Sequence, residues 1–413
     1  MAYPARVTSL DRRLGTRDAV FLGLGSMLGA GVFAAFTPAA QAAGSGLLVG
    51  LVIAAIVAFC NATSSAQLAA VYPTSGGTYV YGRERLGEWW GFVAGWSFVV
   101  GKTASCAAMA LTFAAYAAPA GWERPLAAIA VVVLGIVNYR GIAKTAALTR
   151  VIVVIVLLVL AVAVASAVPA VSFQHELFSS GPYGILQSAG LLFFAFAGYA
   201  RIATLGEEVR NPARTIPRAI LIALGITVLV YAAVAVVLLG SLGAGGIAGD
   251  AAPLAASAVG QFAWAAPVVR AGAAIAALGA LLGLMAGIGR TSLAMARERD
   301  LPGWLAGVHP EYRSPYRAEL LLTVVVVVLV LTLDLRGAIG FSSFGVLVYY
   351  FVANVAALSQ PAADRRYPRV IAALGGVLCA VLAATLPWPS IAGGVLVLVA
   401  GVVYRLIRLR ASS

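Results

Sequence analysis

Charge is scarce in this chain of 413 residues, where only 10 % are Asp, Glu, Lys or Arg. That scarcity excludes a soluble globular domain, because 62 % of the residues are hydrophobic and no water-facing surface hides that much. Lysine is rarer still: Lys102 and Lys144 occur, and every other basic residue is arginine. Histidine is limited to His175 and His309, and cysteine to Cys60, Cys106 and Cys379 in separate apolar stretches without a CxxC spacing. A disulfide framework or metal centre is therefore not expected, and buried, inert thiols are. HExxH, GxSxG and GxxxxGKS/T patterns are all missing, which removes the usual hydrolase signatures and a nucleotide-driven motor. No catalytic residue, metal or cofactor is expected. A cleavable signal peptide is not visible at the charged N-terminus either.

What the chain has instead is long apolar runs. They can be drawn at 18–43, 46–70, 89–118, 125–138, 145–168, 185–206, 216–242, 267–295, 317–334, 338–358, 369–387 and 389–408. At roughly 20 residues per crossing, these read as about 12 transmembrane helices of an all-α polytopic membrane protein, the fourth of them short. The net charge of +13 is a topology signal, because the basic residues are scattered between spans rather than clustered as in a nucleic-acid site. With the N-terminus inside, one side holds Arg6, Arg12, Arg13, Arg17, Arg83, Arg85, Arg140, Lys144 and Arg150, then Arg210, Arg214 and Arg218. Arg290, Arg297, Arg299, Arg313, Arg317, Arg365, Arg366, Arg369, Arg405, Arg408 and Arg410 complete it. The other side has Arg124, Arg270 and Arg336, so the split is 23 against 3. By the positive-inside rule both termini are expected in the cytoplasm of a plasma-membrane protein.

Two spans are broken by glycine. GSMLGAGVF at 25–33 and FFAFAGYAR at 193–201 interrupt the first and sixth runs at matching places. Lipid does not tolerate bare backbone, since each freed N–H or C=O costs several kcal/mol there. Paired breaks at membrane depth are the mark of a transporter site between inverted repeats. On this reading residues 1–168 form a first repeat, 185–358 a second, and 369–408 two additional helices, all in one domain. In the first break the amides of Gly29, Ala30 and Gly31 point into the gap with a helix dipole behind them, an anion site. The rival reading is close helix packing of the GxxxG type, which Gly25 and Gly29 also fit. In the second break, carbonyls freed near Phe194 and Ala197 around Gly198 form a negative helix end suited to an ammonium. Together they describe a zwitterion site, with Phe194 and Phe196 able either to close over a ligand or simply to fill core.

These residues resemble a known family. GSMLGAGVF, YPTSGGTYVYGRERLG at 72–87, LGEEVRNPARTIPRAI at 205–220 and RTSLAMARERDLP at 290–302 are similar to motifs of the amino acid–polyamine–organocation superfamily of permeases. The resemblance implies the five-plus-five inverted-repeat fold with broken helices 1 and 6. It places carboxylate-binding amides on Gly29, Ala30 and Gly31, amine-accepting carbonyls near Met27, Phe194 and Ala197, and an aromatic gate on Phe194. Two departures stand out. Ala200 occupies the place where many members carry an acid, which argues against a cationic substrate. VVIVLLVL at 153–160 lacks the fifth-span lysine of proton-coupled members.

Lys102 is the candidate substitute. It lies in the third span about 12 residues past Trp89-Trp90, roughly 18 Å along a helix, so near the middle of a core about 30 Å thick. An amine there either meets an anionic group of the substrate, exchanges a proton as a coupling group, or packs against broken-helix carbonyls for structure alone. Arg201 is expected in an inner vestibule. Glu207, Glu208, Arg210 and Arg214 are expected as a cytoplasmic charge cluster, and His175 and His309 as incidental loop residues. Ser26 and Ser292 are hydroxyls available to a sodium ion between the first and eighth spans.

The reading is a secondary transporter of amino acids, neutral or small zwitterionic ones favoured, working by alternating access in the lipid bilayer with a proton as candidate coupling ion. Its candidate substrate site comprises Ser26, Met27, Gly29, Ala30 and Gly31 with Lys102, Phe194, Phe196, Ala197 and Gly198. The rivals are an amino acid exchanger or exporter without proton coupling, a non-transporting sensor or accessory subunit, and a polytopic membrane enzyme. Substrate identity, direction of flow and oligomeric state are not encoded in any motif.

Overall fold

The computed structural model describes residues 14–74, 76–141, 146–172, 178, 180–259 and 262–412. Arg6, Arg12, Arg13, Lys144 and His175 therefore lie outside the described residues. The first apolar run is divided into α1 (Thr16–Met27), α2 (Gly31–Ala34) and α3 (Phe36–Ala43). Leu28–Ala30 leave the helix, whereas Ala35 keeps helical dihedrals (φ −80°, ψ −21°), so α2 and α3 run on as one rod. Then come α4 (Leu47–Val71) and the short α5 (Thr78–Leu86), which turns at Gly87 (φ 105°) into α6 (Glu88–Ala117). Only glycine adopts that dihedral without strain, so the corner is fixed by sequence. α7 (Glu123–Tyr139) and α8 (Ala146–Ala167) close the first half.

The second half starts with α9 (Gly181–Phe196), a 3₁₀ turn at Ala197–Tyr199, and α10 (Ala200–Ala203). α11 (Pro212–Gly249) kinks at Gly243 (φ 67°), one residue past the expected end of the seventh span. α12 (Pro253–Ser257), α13 (Ala265–Arg297), α14 (Tyr316–Thr332) and α15 (Leu335–Leu358) follow, then α16 (Arg369–Thr385) and α17 (Trp388–Ser412). Among the described residues 9 helical stretches are long and apolar enough to cross a membrane, and no strand is present beyond an isolated bridge. The chain is an all-helical, multi-pass membrane protein. α7, α14 and α16 each have 17 residues, about 25 Å of helix, slightly less than the hydrocarbon core.

Small residues let the helices touch. α6 crosses α15 where a Cβ on Gly345 would stand 2.8 Å from Gly101 Cα, and the hydroxyls of Ser105 and Ser342 meet at 2.6 Å beside it. Such contacts replace the hydrophobic drive that lipid does not supply. A second polar lock joins α4, α15 and α16: Asn354 donates to Asn61 Oδ1 at 2.6 Å and accepts from Ser64 at 2.7 Å, with Cys379 against Asn61. All three cysteines are free and buried, as expected.

Candidate functional site

The two breaks cross each other. A Cβ on Gly31 would stand 2.7 Å from Ala195 Cα on α9, and one on Gly198 would stand 2.7 Å from Met27 N while running into the Ser26 carbonyl. Gly29 faces α13, where Ala280 Cβ would lie 2.6 Å from an added Cβ, and Gly25 faces Thr149 and Val153 on α8. The packing reading and the unwinding reading of GSMLGAGVF are thus both realised in one segment. α8 carries Val153 where the resemblance led one to look for a bracing lysine, so α1 is braced there by apolar contact.

Backbone accounting separates the breaks. Among the described residues the amides of Gly29 and Ala30 donate no hydrogen bond, while Leu28 still donates to Leu24 O. The carbonyls are filled by side chains. Tyr231 Oη on α11 donates to Met27 O at 2.5 Å and lies 3.0 Å from Ala195 O, so one hydroxyl hydrogen is shared between the breaks. Ala197 O accepts from Lys102 Nζ at 3.3 Å and from Tyr350 Oη at 3.4 Å, which uses both of its lone pairs. Lys102 is 8 % exposed and reaches the second break rather than the first. Nothing in the sequence marks Tyr231 and Tyr350, because a tyrosine within an apolar run looks like core until its distant partner is known.

The other expected residues divide. Phe194 keeps slight exposure (7 %), whereas Phe196 is fully buried and packs its ring 4.9 Å from that of Tyr231. Ser26 spends its hydroxyl on Leu22 O at 3.0 Å. Ser292 lies 12 residues beyond Ala280, roughly 18 Å along α13. Gly198, Arg201 and Thr204 keep partial exposure, and Arg201 Nη1 donates to Thr204 Oγ1 at 3.3 Å. Next to them Leu14 bridges to the 207–214 segment through Leu14 N to Glu208 O (3.0 Å) and Arg210 N to Leu14 O (2.9 Å), tying the foot of α1 to the chain after α10. His309 is a loop staple whose Nδ1 accepts from the amides of Glu311 and Tyr312.

A second charge cluster lies where two of the quoted motifs meet. Arg83 approaches Asp300 (3.5 Å), Glu88 (3.4 Å) and Glu298 (3.7 Å), and Tyr79 Oη donates to Asp300 at 2.7 Å. Arg405 of α17 pairs with Asp300 and with Glu88, and its guanidinium lies 5.0 Å and 4.9 Å from the ring centres of Trp89 and Phe92. Burial, reinforced by the Asp300 hydrogen bond, raises the Tyr79 hydroxyl pKa above its ordinary value, so Tyr79 remains a donor at neutral pH. Arg405 is only 5 % exposed. Sequence read it as one more positive-inside charge.

Comparison with known proteins agrees with this architecture. The family model described as amino acid permease matches residues 14–407. An uncharacterised transporter of Mycobacterium tuberculosis is 59 % identical over 399 residues, covering 95 % of this chain and 90 % of that protein. A branched-chain amino acid permease of Bacillus subtilis is 27 % identical over 418 residues, covering 93 % and 90 %. A cationic amino acid transporter of Arabidopsis thaliana is 27 % identical over 432 residues, covering 96 % of this chain and 71 % of the relative. The crossed, glycine-broken helices thus sit in a chain that belongs to the amino acid permease family, within the amino acid–polyamine–organocation superfamily.

Proposed function

We propose that this permease is a secondary transporter of neutral or small zwitterionic amino acids, working by alternating access in the plasma membrane with both termini cytoplasmic. It is read as 12 spans, five plus five in inverted repeat with helices 1 and 6 broken, and two additional helices at 369–408. The observation that carries the reading is the crossing of the two breaks, with free amides at Gly29 and Ala30 on one side and guarded carbonyls at Met27 and Ala197 on the other. Hydrogen bonds to a charged acceptor contribute about 1.5–3 kcal/mol each, so two or three amides hold a carboxylate without an arginine. The ammonium end then meets Ala197 O, where Lys102 and Tyr350 already donate, and a substrate amine has to displace one of them.

Ala200 favours a neutral substrate, because no carboxylate stands at that place to pair with a second positive charge. The branched-chain relative fits that preference and the cationic relative does not. Lys102 is the candidate coupling residue: the cation on Ala197 O is the donor most directly exchanged for a substrate ammonium. Its contact serves equally an exchanger without proton coupling, in which Lys102 only braces the break. Purified protein in liposomes, given each amino acid in turn with and without a pH gradient, tests the reading. Uptake or counterflow of small neutral amino acids is expected, and a panel with no response to any amino acid would sink it.

A further inference from the structure

The transport reading leaves one buried carboxylate unused. Glu319 sits in the first turn of α14, is 2 % exposed, and its Oε2 has no hydrogen-bond partner among the described residues. Its carboxyl lies in a notch on α13, where a Cβ on Gly289 would stand 2.9 Å from Glu319 Cδ and run into Oε1. Glycine makes the space that the carboxylate fills.

The described groups around the notch do not neutralise it. Among the described residues no ion pair includes Glu319. From α6, Cys106 lies within electrostatic reach of both Glu319 and Lys102. From α13, Arg290 is within electrostatic reach but exposed to solvent. On α14 itself Arg317 is turned away, donating to Tyr316 Oη at 2.8 Å and to the Trp304 carbonyl of the 303–306 turn at 3.2 Å. α7 meets α14 through Gly135 against Thr323, with Tyr139 beside Tyr316 and Arg140 exposed at its end. An ionised carboxylate held this way lacks a donor on one oxygen, and an unpaired buried charge is costly. One proton on Oε2 removes the charge, and its loss toward the exposed Arg290 side restores it. No other bond changes.

α13 links the notch to the substrate site. Its Ala276 and Ala280 pack on Gly29 of the first break, and Gly289 lies nine residues further, roughly 13 Å along the same helix. We propose that Glu319, seated in the Gly289 notch, is the carboxylate through which the proton coupled to transport is exchanged with solvent, in series with the Lys102 amine at the second break. The proposal rests on the transporter reading above, yet its protonation is testable apart from transport.

Two measurements separate the two ideas. Infrared difference spectra of the purified protein between alkaline and acidic pH should show the C=O stretch of a protonated carboxylic acid, lost in Glu319→Gln. A wild-type spectrum without that band, or a band unchanged in Glu319→Gln, overturns the proposal whatever transport shows. In liposomes, a radiolabelled mixture of neutral proteinogenic amino acids is the probe. One pH unit can drive about tenfold accumulation for one coupled proton. Glu319→Gln should keep counterflow and lose that accumulation, and Glu319→Asp should keep part of it. Accumulation by Glu319→Gln equal to wild type overturns the coupling role, leaving a carboxylate that serves the α14 dipole only. A wild-type protein with the infrared band but neither uptake nor counterflow would refute the transporter reading, and the coupling role with it, while the protonation stands.

Discussion

Among the described residues, the break between α1 and α2 leaves the amides of Gly29 and Ala30 without acceptors, whereas the break after α9 has the carbonyls of Ala195 and Ala197 occupied by Tyr231, Lys102 and Tyr350. Buried backbone groups are nearly always paired, so the first break is the unfinished one. In the proposed cycle it is completed by a substrate carboxylate. The second break is complete without substrate, and its donors must yield for an ammonium to enter. The contrast makes the carboxylate end the anchor and the ammonium end the adjustable one.

The contrast fails most visibly if the breaks do not depend on touching. Gly198→Ala and Gly31→Ala each place a Cβ against the backbone of the other break, at 2.7 Å from Met27 N and from Ala195 Cα. Overpacking of this kind costs about 1–3 kcal/mol, and leucine should cost more and abolish binding. A lower melting temperature and loss of amino acid binding are expected in both alanine variants. Wild-type melting and affinity in both would mean that the crossing is not maintained.

Next comes the donor shared by both halves. Tyr231→Phe strips the hydroxyl from Met27 O and Ala195 O in a fully buried place, a loss of about 1–3 kcal/mol. Tyr350→Phe should cost less, because Ala197 O keeps Lys102. Thermal unfolding of the two variants checks the order, and a larger loss for Tyr350→Phe would reverse the roles assigned to the two tyrosines.

Lys102 sharpens the ammonium end. Lys102→Ala frees a lone pair on Ala197 O without touching the amides of the first break, so counterflow of neutral amino acids should persist. Accumulation driven by a pH gradient should be lost, and Lys102→Arg should not restore it, since guanidinium stays protonated. Normal accumulation by Lys102→Ala would reduce the residue to a brace and leave coupling to Glu319. A selective loss of affinity for acidic substrates, with coupling intact, would identify it as a substrate-binding group.

Much of this architecture is local and was legible. Apolar runs placed the long helices to within about four residues except α11, which continues past its kink to Gly249, seven residues beyond the drawn end; the glycines at 25–31 and 198 mark where helical bonding stops, because both depend on neighbours in sequence. What stayed hidden depends on partners far along the chain. Tyr231 reaches Met27 across 204 residues and Arg405 reaches Asp300 across 105. Glu319 falls inside the ninth apolar run, and nothing nearby in sequence tells that Gly289 leaves it a notch. Charge spacing singled out the segment at 207–214, whereas the buried pairing of Asp300 with Arg405 joins segments that no spacing connects.

The smallest effect belongs to Ser26, whose backbone carbonyl meets Gly198 where the breaks cross. Its hydroxyl bonds Leu22 O on the preceding turn of its own helix, at 3.0 Å, and such a bond adds little to a helix that is already formed. Gly198 packs on the Ser26 carbonyl, not on the side chain, so the contact between the breaks is indifferent to the hydroxyl. Ser26→Ala should therefore change stability by no more than about 0.5 kcal/mol and leave uptake the same in sodium-containing and sodium-free buffer. A sodium requirement that disappears in Ser26→Ala would show the hydroxyl leaving Leu22 to meet a cation. The first break would then bind a cation beside its free amides, and the division into an anion end and an ammonium end would no longer hold.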